Sequence, residues 1–337
     1  MTMMYQPPSP LAAPGCSADA RPMLARDADS MFWMSRYVER SEHVARLLRV
    51  HAALLTDVGD LTPELEAMMW NTIMITFRSG DLPAGDGPLG PRIARHMTFD
   101  LNTPNSISSC IARARENARA IRESISSEMW ECMNAIYWSV QAEDAPARYE
   151  DSPDDYFYGI MTSSMLFQGL SNQTMAHDQR WAFTHVARYL ERIDVTARVI
   201  ETRFEVLSRM EAELDQPLNI HLMGVLRSCC SLETYRRMHL ADLDADRVAQ
   251  FLILQRDFPR SIRFCVEEAR HALEQVRESN GSRTPSNPER ILGRLSSQLE
   301  YTDINEVLAG GLGAFLQQIQ STVAEASLSL QKTYFLY

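Results

Sequence analysis

The chain has 337 residues, 45% hydrophobic and 23% charged, an ordinary globular composition with enough apolar residues to bury one large core or two smaller ones. A net charge of −11 argues against a nucleic-acid or anionic-membrane surface, because both need basic patches. Lys332 is the only lysine, which excludes a Walker-type phosphate lysine, a buried Schiff-base lysine and a kinase strand lysine.

Residues 1–22 carry Pro7, Pro8, Pro10, Pro14 and Pro22 among Ser, Ala and Gly, with no amphipathic period and no signal-peptide pattern. They read as a disordered extension, and Met23, after which the periodicity begins, reads as the natural start. From Leu24 the apolar spacing is helical (Met31, Met34, Val38, Ala45) until Asp57, Gly59 and Asp60 interrupt it. Thr62-Pro63 is an N-cap with proline in the first turn, opening a helix to about residue 77. Residues 79–91 hold clustered Gly and Pro and form a loop. Helices follow near 91–98 and over 104–141, then a break at 144–154 around Pro146 and Pro153.

The second half is expected to hold helices at 155–170, 178–214, 217–239, 244–255 and 259–279, a linker at 280–288, and helices at 289–301 and 303–331. Gly310-Gly311-x-Gly313 falls inside the last of these and reads as close helix packing. No alternating β-rich run is bounded by hairpin signals, and no apolar run approaches the length of a membrane span. The cysteines (Cys16, Cys110, Cys132, Cys229, Cys230, Cys265) make no Cys-x-x-Cys pair, so reduced thiols and a cytoplasmic location are expected.

Two blocks recur in order. Arg36-Tyr37-Val38-Glu39-Arg40-x-Glu42-x-x-Ala45-Arg46 matches Arg188-Tyr189-Leu190-Glu191-Arg192-x-Asp194-x-x-Ala197-Arg198 at an offset of 152. Pro104-x-Ser106-Ile107-x-x-Cys110 matches Pro259-x-Ser261-Ile262-x-x-Cys265 at an offset of 155. The expected fold is therefore all-α, a pseudo-two-fold helical bundle from tandem duplication of a roughly 150-residue unit. Its repeats would span about 24–143 and 155–279, followed by C-terminal helices at about 289–331.

On a helical wheel each signature gathers three arginines and two carboxylates: Arg36, Arg40 and Arg46 with Glu39 and Glu42, then Arg188, Arg192 and Arg198 with Glu191 and Asp194. Such a face is either a salt-bridged seam, solvated or between the repeats, or a site for carboxylate or phosphate groups, which planar guanidiniums bind bidentately. A di-metal carboxylate site is disfavoured: the Glu-x-x-His spacing is missing here, and neighbouring arginines repel a cation. No metal and no cofactor is expected. Arg115, Asn117, Arg119 and Glu128, in Arg/carboxylate-rich stretches, and Arg227, in an apolar run, are secondary candidates.

These strings resemble the alpha-E family of bacterial helical proteins. The resemblance is carried by Met23-Leu24-Ala25-Arg26 through Arg40, by Arg188–Arg192, Arg115–Arg119, Glu128-Met129-Trp130-Glu131, Leu226-Arg227-Ser228 and Phe258-Pro259-Arg260-Ser261, and it covers residues 23–335. It implies an association with a circularly permuted ATP-grasp protein, often with a transglutaminase-like protease, and so with peptide or amide metabolism. The expected role is a non-catalytic partner of an ATP-grasp-type amide ligase. It would bind an acidic substrate, peptide or partner through Arg36, Arg40, Arg188 and Arg192, with Glu39 and Glu191 holding them. One alternative is an enzyme in which Glu39 or Glu191 is a general base of raised pKa. Another is a purely structural signature.

Overall fold

The computed structural model describes residues 23–58, 62–214, 218–239 and 243–335. The expected N-terminal extension at 1–22 and the expected break at Gly59 and Asp60 lie outside the described residues. Every regular element among the described residues is helical, and no helix is long and apolar enough to cross a membrane.

The first half runs α1 (Ala25–Val58), α2 (Pro63–Phe77), α3 (Leu89–Phe99), α4 (Ile107–Ala120), α5 (Ser127–Gln141), α6 (Ala145–Asp151) and α7 (Pro153–Thr174). The second runs α8 (Gln179–Leu214), α9 (Asn219–Ser228), α10 (Leu232–His239), α11 (Ala245–Leu254), α12 (Ile262–Ser279), α13 (Asn287–Glu300), α14 (Ile304–Gly310) and α15 (Leu312–Leu330). The start of α2 follows the sequence rule: Thr62 Oγ1 accepts from the Leu65 N–H, and Pro63 stands in the first turn, where no intrahelical donor is needed.

Three expected helices are broken, each for a local reason. The 104–141 run splits because Ser126 caps α5, accepting from the Met129 N–H after a short 3-10 turn at Arg122–Ser124. The 217–239 run turns at Cys230, whose φ is +56°. The 303–331 run turns at Gly311 with φ +99°, a conformation that glycine adopts without a Cβ penalty. Close packing is thus not the role of Gly310, Gly311 and Gly313: nothing would meet a Cβ on any of them. Pro146 opens α6 instead of breaking the chain.

The long helices form two sets of four. In the first, α1 packs on α4, α4 on α5, α5 on α7 and α7 back on α1. In the second, α8 packs on α12, α12 on α13, α13 on α15 and α15 back on α8. The sets meet along α1 and α8, which run side by side in the same direction: Ser35 bonds to Thr184, Arg40 to Glu191 and His51 to Arg203. Two of the other helices cross over: α2 rests mainly on α8 and α9 mainly on α1. One apolar core runs through both sets, including Met34, Val38 and Leu48 of α1 and Phe183, Leu190 and Ile193 of α8.

Candidate functional site

Because α1 and α8 are parallel and in register, their charged faces point at each other inside the protein, not into water. Glu39 and Glu42 are 0% exposed and Glu191 is 1% exposed. The pairs are reciprocal. Arg40 of α1 donates to Glu191 of α8 (Nε–Oε1 2.6 Å, Nη2–Oε2 2.8 Å), and Arg192 of α8 donates to Glu39 of α1 (Nε–Oε1 2.5 Å). Arg36 adds a second cation to Glu191 at 2.8 Å. Glu42 is held by Arg46, one turn along α1, and by Arg260 from the N-terminal approach to α12 (3.1 Å).

Burial alone would raise the pKa of these carboxyls, but the guanidiniums outweigh it. Arg40 and Arg36 hold Glu191 down to about 2, and Arg192 with Arg260 holds Glu39 well below the usual carboxylate range. A general base at Glu39 or Glu191 would need the opposite shift.

Glu39, Glu42 and His43 place one ligand atom each within 4.8 Å of one another, the spacing of a metal site. The carboxylate oxygens are already taken by Arg192, Arg46 and Arg260, so a cation would meet three positive charges.

On the Glu191 side the network opens into a cavity of about 410 Å³. Arg36, Arg40, Arg78 and Arg198 line it against Glu191 and Asp194, an excess of two positive charges. Arg198 is paired with Asp194 through Nη2 (2.7 Å) and donates to Thr76 O (3.1 Å), while its Nε is buried without an acceptor. Desolvation lowers its pKa, and the positive charge of Arg78 lowers it further. Arg78 is exposed, sits in the left-handed region (φ 49°, ψ 47°) at the end of α2, and has no ion-pair partner among the described residues. Trp33, Phe77, Val323 and Leu328 supply the apolar walls.

The family described as an alpha-helical domain with a conserved ER motif matches residues 23–335. The chain belongs to the alpha-E family. Glu39-Arg40 and Glu191-Arg192, the buried reciprocal pairs, are ER strings of the kind that this alpha-E description names. Among curated proteins the chain is similar to uncharacterized proteins of Mycobacterium bovis and Mycobacterium tuberculosis, 24% identical over 332 residues. That similarity covers 93% of this chain but 36% of the relatives, so this alpha-E chain spans about a third of their length. No solved structure matches it.

The other expected site residues are dispersed. Arg188 does not join the carboxylates; it donates to His185 (Nη2–Nδ1 2.9 Å) and lies over the Tyr189 ring. Arg115 bonds to Asn134 and lies over the Tyr137 ring, Asn117 bonds to its own helix, Arg119 pairs with Glu116, and Glu128 is exposed. Arg227 is exposed beside a second cavity with Arg46 and Cys230. Sequence reasoning missed Arg78, Asn105, Gln168, Arg260 and Ser327. Asn105 and Arg260 were within reach: they are the variable position between the matched Pro and Ser of the second repeated block.

His51 and His185 are held neutral in the fold. Desolvation first, then Arg203 beside His51 and Arg188 beside His185, push His51 well below its ordinary value and His185 to about 2. Below about pH 6.5 the unfolded chain protonates these histidines and the folded chain does not. Stability therefore falls with decreasing pH, by up to about 1.4 kcal/mol per pH unit for each histidine. Below about pH 4.5 the depressed carboxyls of Glu39, Glu42 and Glu191 add a loss of the same sign. Urea midpoints should drop between pH 7.5 and 5.5; a flat profile there would contradict the burial of neutral histidines.

Proposed function

We propose that the chain is a non-catalytic partner of an ATP-grasp-type amide or peptide ligase, which binds an acidic substrate or peptide in the arginine-lined cavity on the Glu191 side. The carrying observation is the excess of two guanidinium charges around an open cavity of about 410 Å³. A carboxylate placed between Arg78 and Arg198 would relieve their mutual repulsion. Of the four expected anion contacts, Arg36 and Arg40 line this cavity and Arg188 and Arg192 do not. Both lining residues are committed to Glu191, so the ligand contacts proper are Arg78 and Arg198. Free thiols at Cys110, Cys132, Cys229, Cys230 and Cys265 fit a cytoplasmic setting.

The same reading includes a tandem duplication with revised boundaries. Each set of four helices has the same order of neighbours, and α7, which the sequence pattern assigned to the second repeat, closes the first set. The units would then span α1 to α7 and α8 to α15, with α2 corresponding to α9; both of those helices are followed by a non-glycine residue at positive φ, Arg78 and Cys230.

The test is co-expression with a circularly permuted ATP-grasp protein from the same genome, followed by an ADP-release assay across acidic amino acids and peptides. A stable complex with stimulated, substrate-dependent ADP release is the expected outcome. No complex and no stimulation would refute the partnership.

A further inference from the structure

Two cavities of similar size lie beside the α1–α8 pair, and only one of them reaches a reciprocal Glu-Arg pair. The first is lined from α15 by Gln320, Val323, Ala324 and Ser327, and it extends to Arg36, Arg40 and Glu191. The second, of about 450 Å³, is lined from α7 by Met161 and Met165, and it extends to Arg46 and Cys230 but to neither Glu39 nor Arg192. The positions correspond. Met161 and Met165 precede Gln320 and Ala324 by the same interval that separates Gln168 from Ser327. Arg46 corresponds to Arg198, and Cys230 to Arg78, at the offset of the repeated signature.

Besides Cys230 in place of Arg78, the two sides differ in two side chains next to the ion pairs. At Ser327 the α15 residue is short, accepts from Arg36 Nη1 at 3.3 Å, and leaves the cavity open. At Gln168 the α7 residue is long, half-buried, and closes over the ion pair: its Oε1 accepts from Arg192 Nη2 at 3.1 Å and its Nε2 donates to Glu39. Where Asn105 accepts from Arg40 Nη1 at 2.8 Å, the other side has Arg260, whose guanidinium fills the space between Glu42 (3.1 Å) and Glu39 (3.9 Å).

We propose that the Glu39 side is a second, weaker copy of the anion site, with Cys230 where the first has Arg78 and Arg260 where it has Asn105, closed from within by Gln168, so that each chain takes one carboxylate ligand, on the Glu191 side. This rests on the binding reading above and adds its stoichiometry and the residue that sets it. Gln168 acts as a fixed lid: its amide oxygen takes the Arg192 Nη2 donor that an incoming carboxylate would use, and its amide nitrogen donates to Glu39. Removing the lid leaves Arg192 paired to Glu39, so the seam persists, and frees space over that pair one turn along α7 from Met165, which lines the second cavity.

The experiment is isothermal titration of the full chain with succinate and, separately, with inorganic phosphate, on the wild type, Ser327→Gln and Gln168→Ser, with Gln168→Ala as a second lid variant. Folding of each is checked by thermal unfolding. Wild type should bind one succinate or phosphate per chain, Ser327→Gln should weaken that binding at least tenfold, and both Gln168 variants should gain a second, weaker site, weaker because Cys230 stands where the first site has Arg78. One site in both Gln168 variants, or unchanged binding in Ser327→Gln, overturns the occlusion. If the wild type binds neither probe, the binding reading itself fails, and a crystal structure of Gln168→Ser still decides the lid. A cavity continuous from Met161 to Glu39 supports it, and a sealed one overturns it.

Discussion

Glu191→Gln should cost about 3–5 kcal/mol of folding stability, because it leaves Arg36 and Arg40 buried without their counter-charge. Glutamine keeps the shape of the side chain, so the loss isolates charge from packing. The carboxylate bonds both guanidiniums at 2.6–2.8 Å and is 1% exposed, and water entering from the cavity would supply hydrogen bonds but no counter-charge. Glu39→Gln should behave alike through Arg192. Against a typical total of about 5–15 kcal/mol, the double variant should be unfolded or nearly so. Breaking the exposed Arg49–Asp154 pair with Asp154→Asn is the control and should cost under about 1 kcal/mol. Urea denaturation of the three single variants measures this. A loss below about 1 kcal/mol for Glu191→Gln would mean that the cavity hydrates the site far more than its geometry allows.

The second large effect is on binding. Arg198→Gln should weaken succinate or an acidic peptide by about 10–100-fold, since it removes a guanidinium that lines the cavity and a hydrogen bond to a charged group is worth about 1.5–3 kcal/mol. Arg78→Asn should weaken it about tenfold without disturbing the end of α2. Asparagine tolerates the left-handed conformation, and the cap is made by the backbone N–H of residue 78 to Ile75 and Met74. Arg36 and Arg40 are poor test positions because they also hold the fold. Binding should weaken as salt rises, since Arg78 lies at the exposed mouth of the site. Titration calorimetry at two ionic strengths checks both points. Equal affinity in wild type and Arg198→Gln would remove this cavity as the anion site.

Much of the architecture was legible because α-helices announce themselves locally. The Thr62-Pro63 start and the long spans of α1 and α8 follow from 3.6-residue periodicity and from caps that lie within four residues of the groups they serve. The missed breaks at Ser126 and Cys230 carry neither Gly nor Pro and leave the apolar period almost intact, so the pattern continues where the backbone does not. The Glu-Arg signature was legible as a charged face, but a helical wheel does not say what that face meets. A ladder of charges one turn apart is the same string whether it lies in water or against a second helix.

The sequence alone therefore determined the all-helical class, the family, and the residues of the reciprocal Glu-Arg pairs, since each depends on local spacing and residue type. Only the tertiary structure decided that those pairs are a buried seam, because burial depends on α1 and α8 lying parallel in register across about 150 residues of intervening chain. It also decided that the seam opens on one side. That depends on whether a serine on α15 or a glutamine on α7 faces the ion pair, and no local pattern encodes which helix packs there.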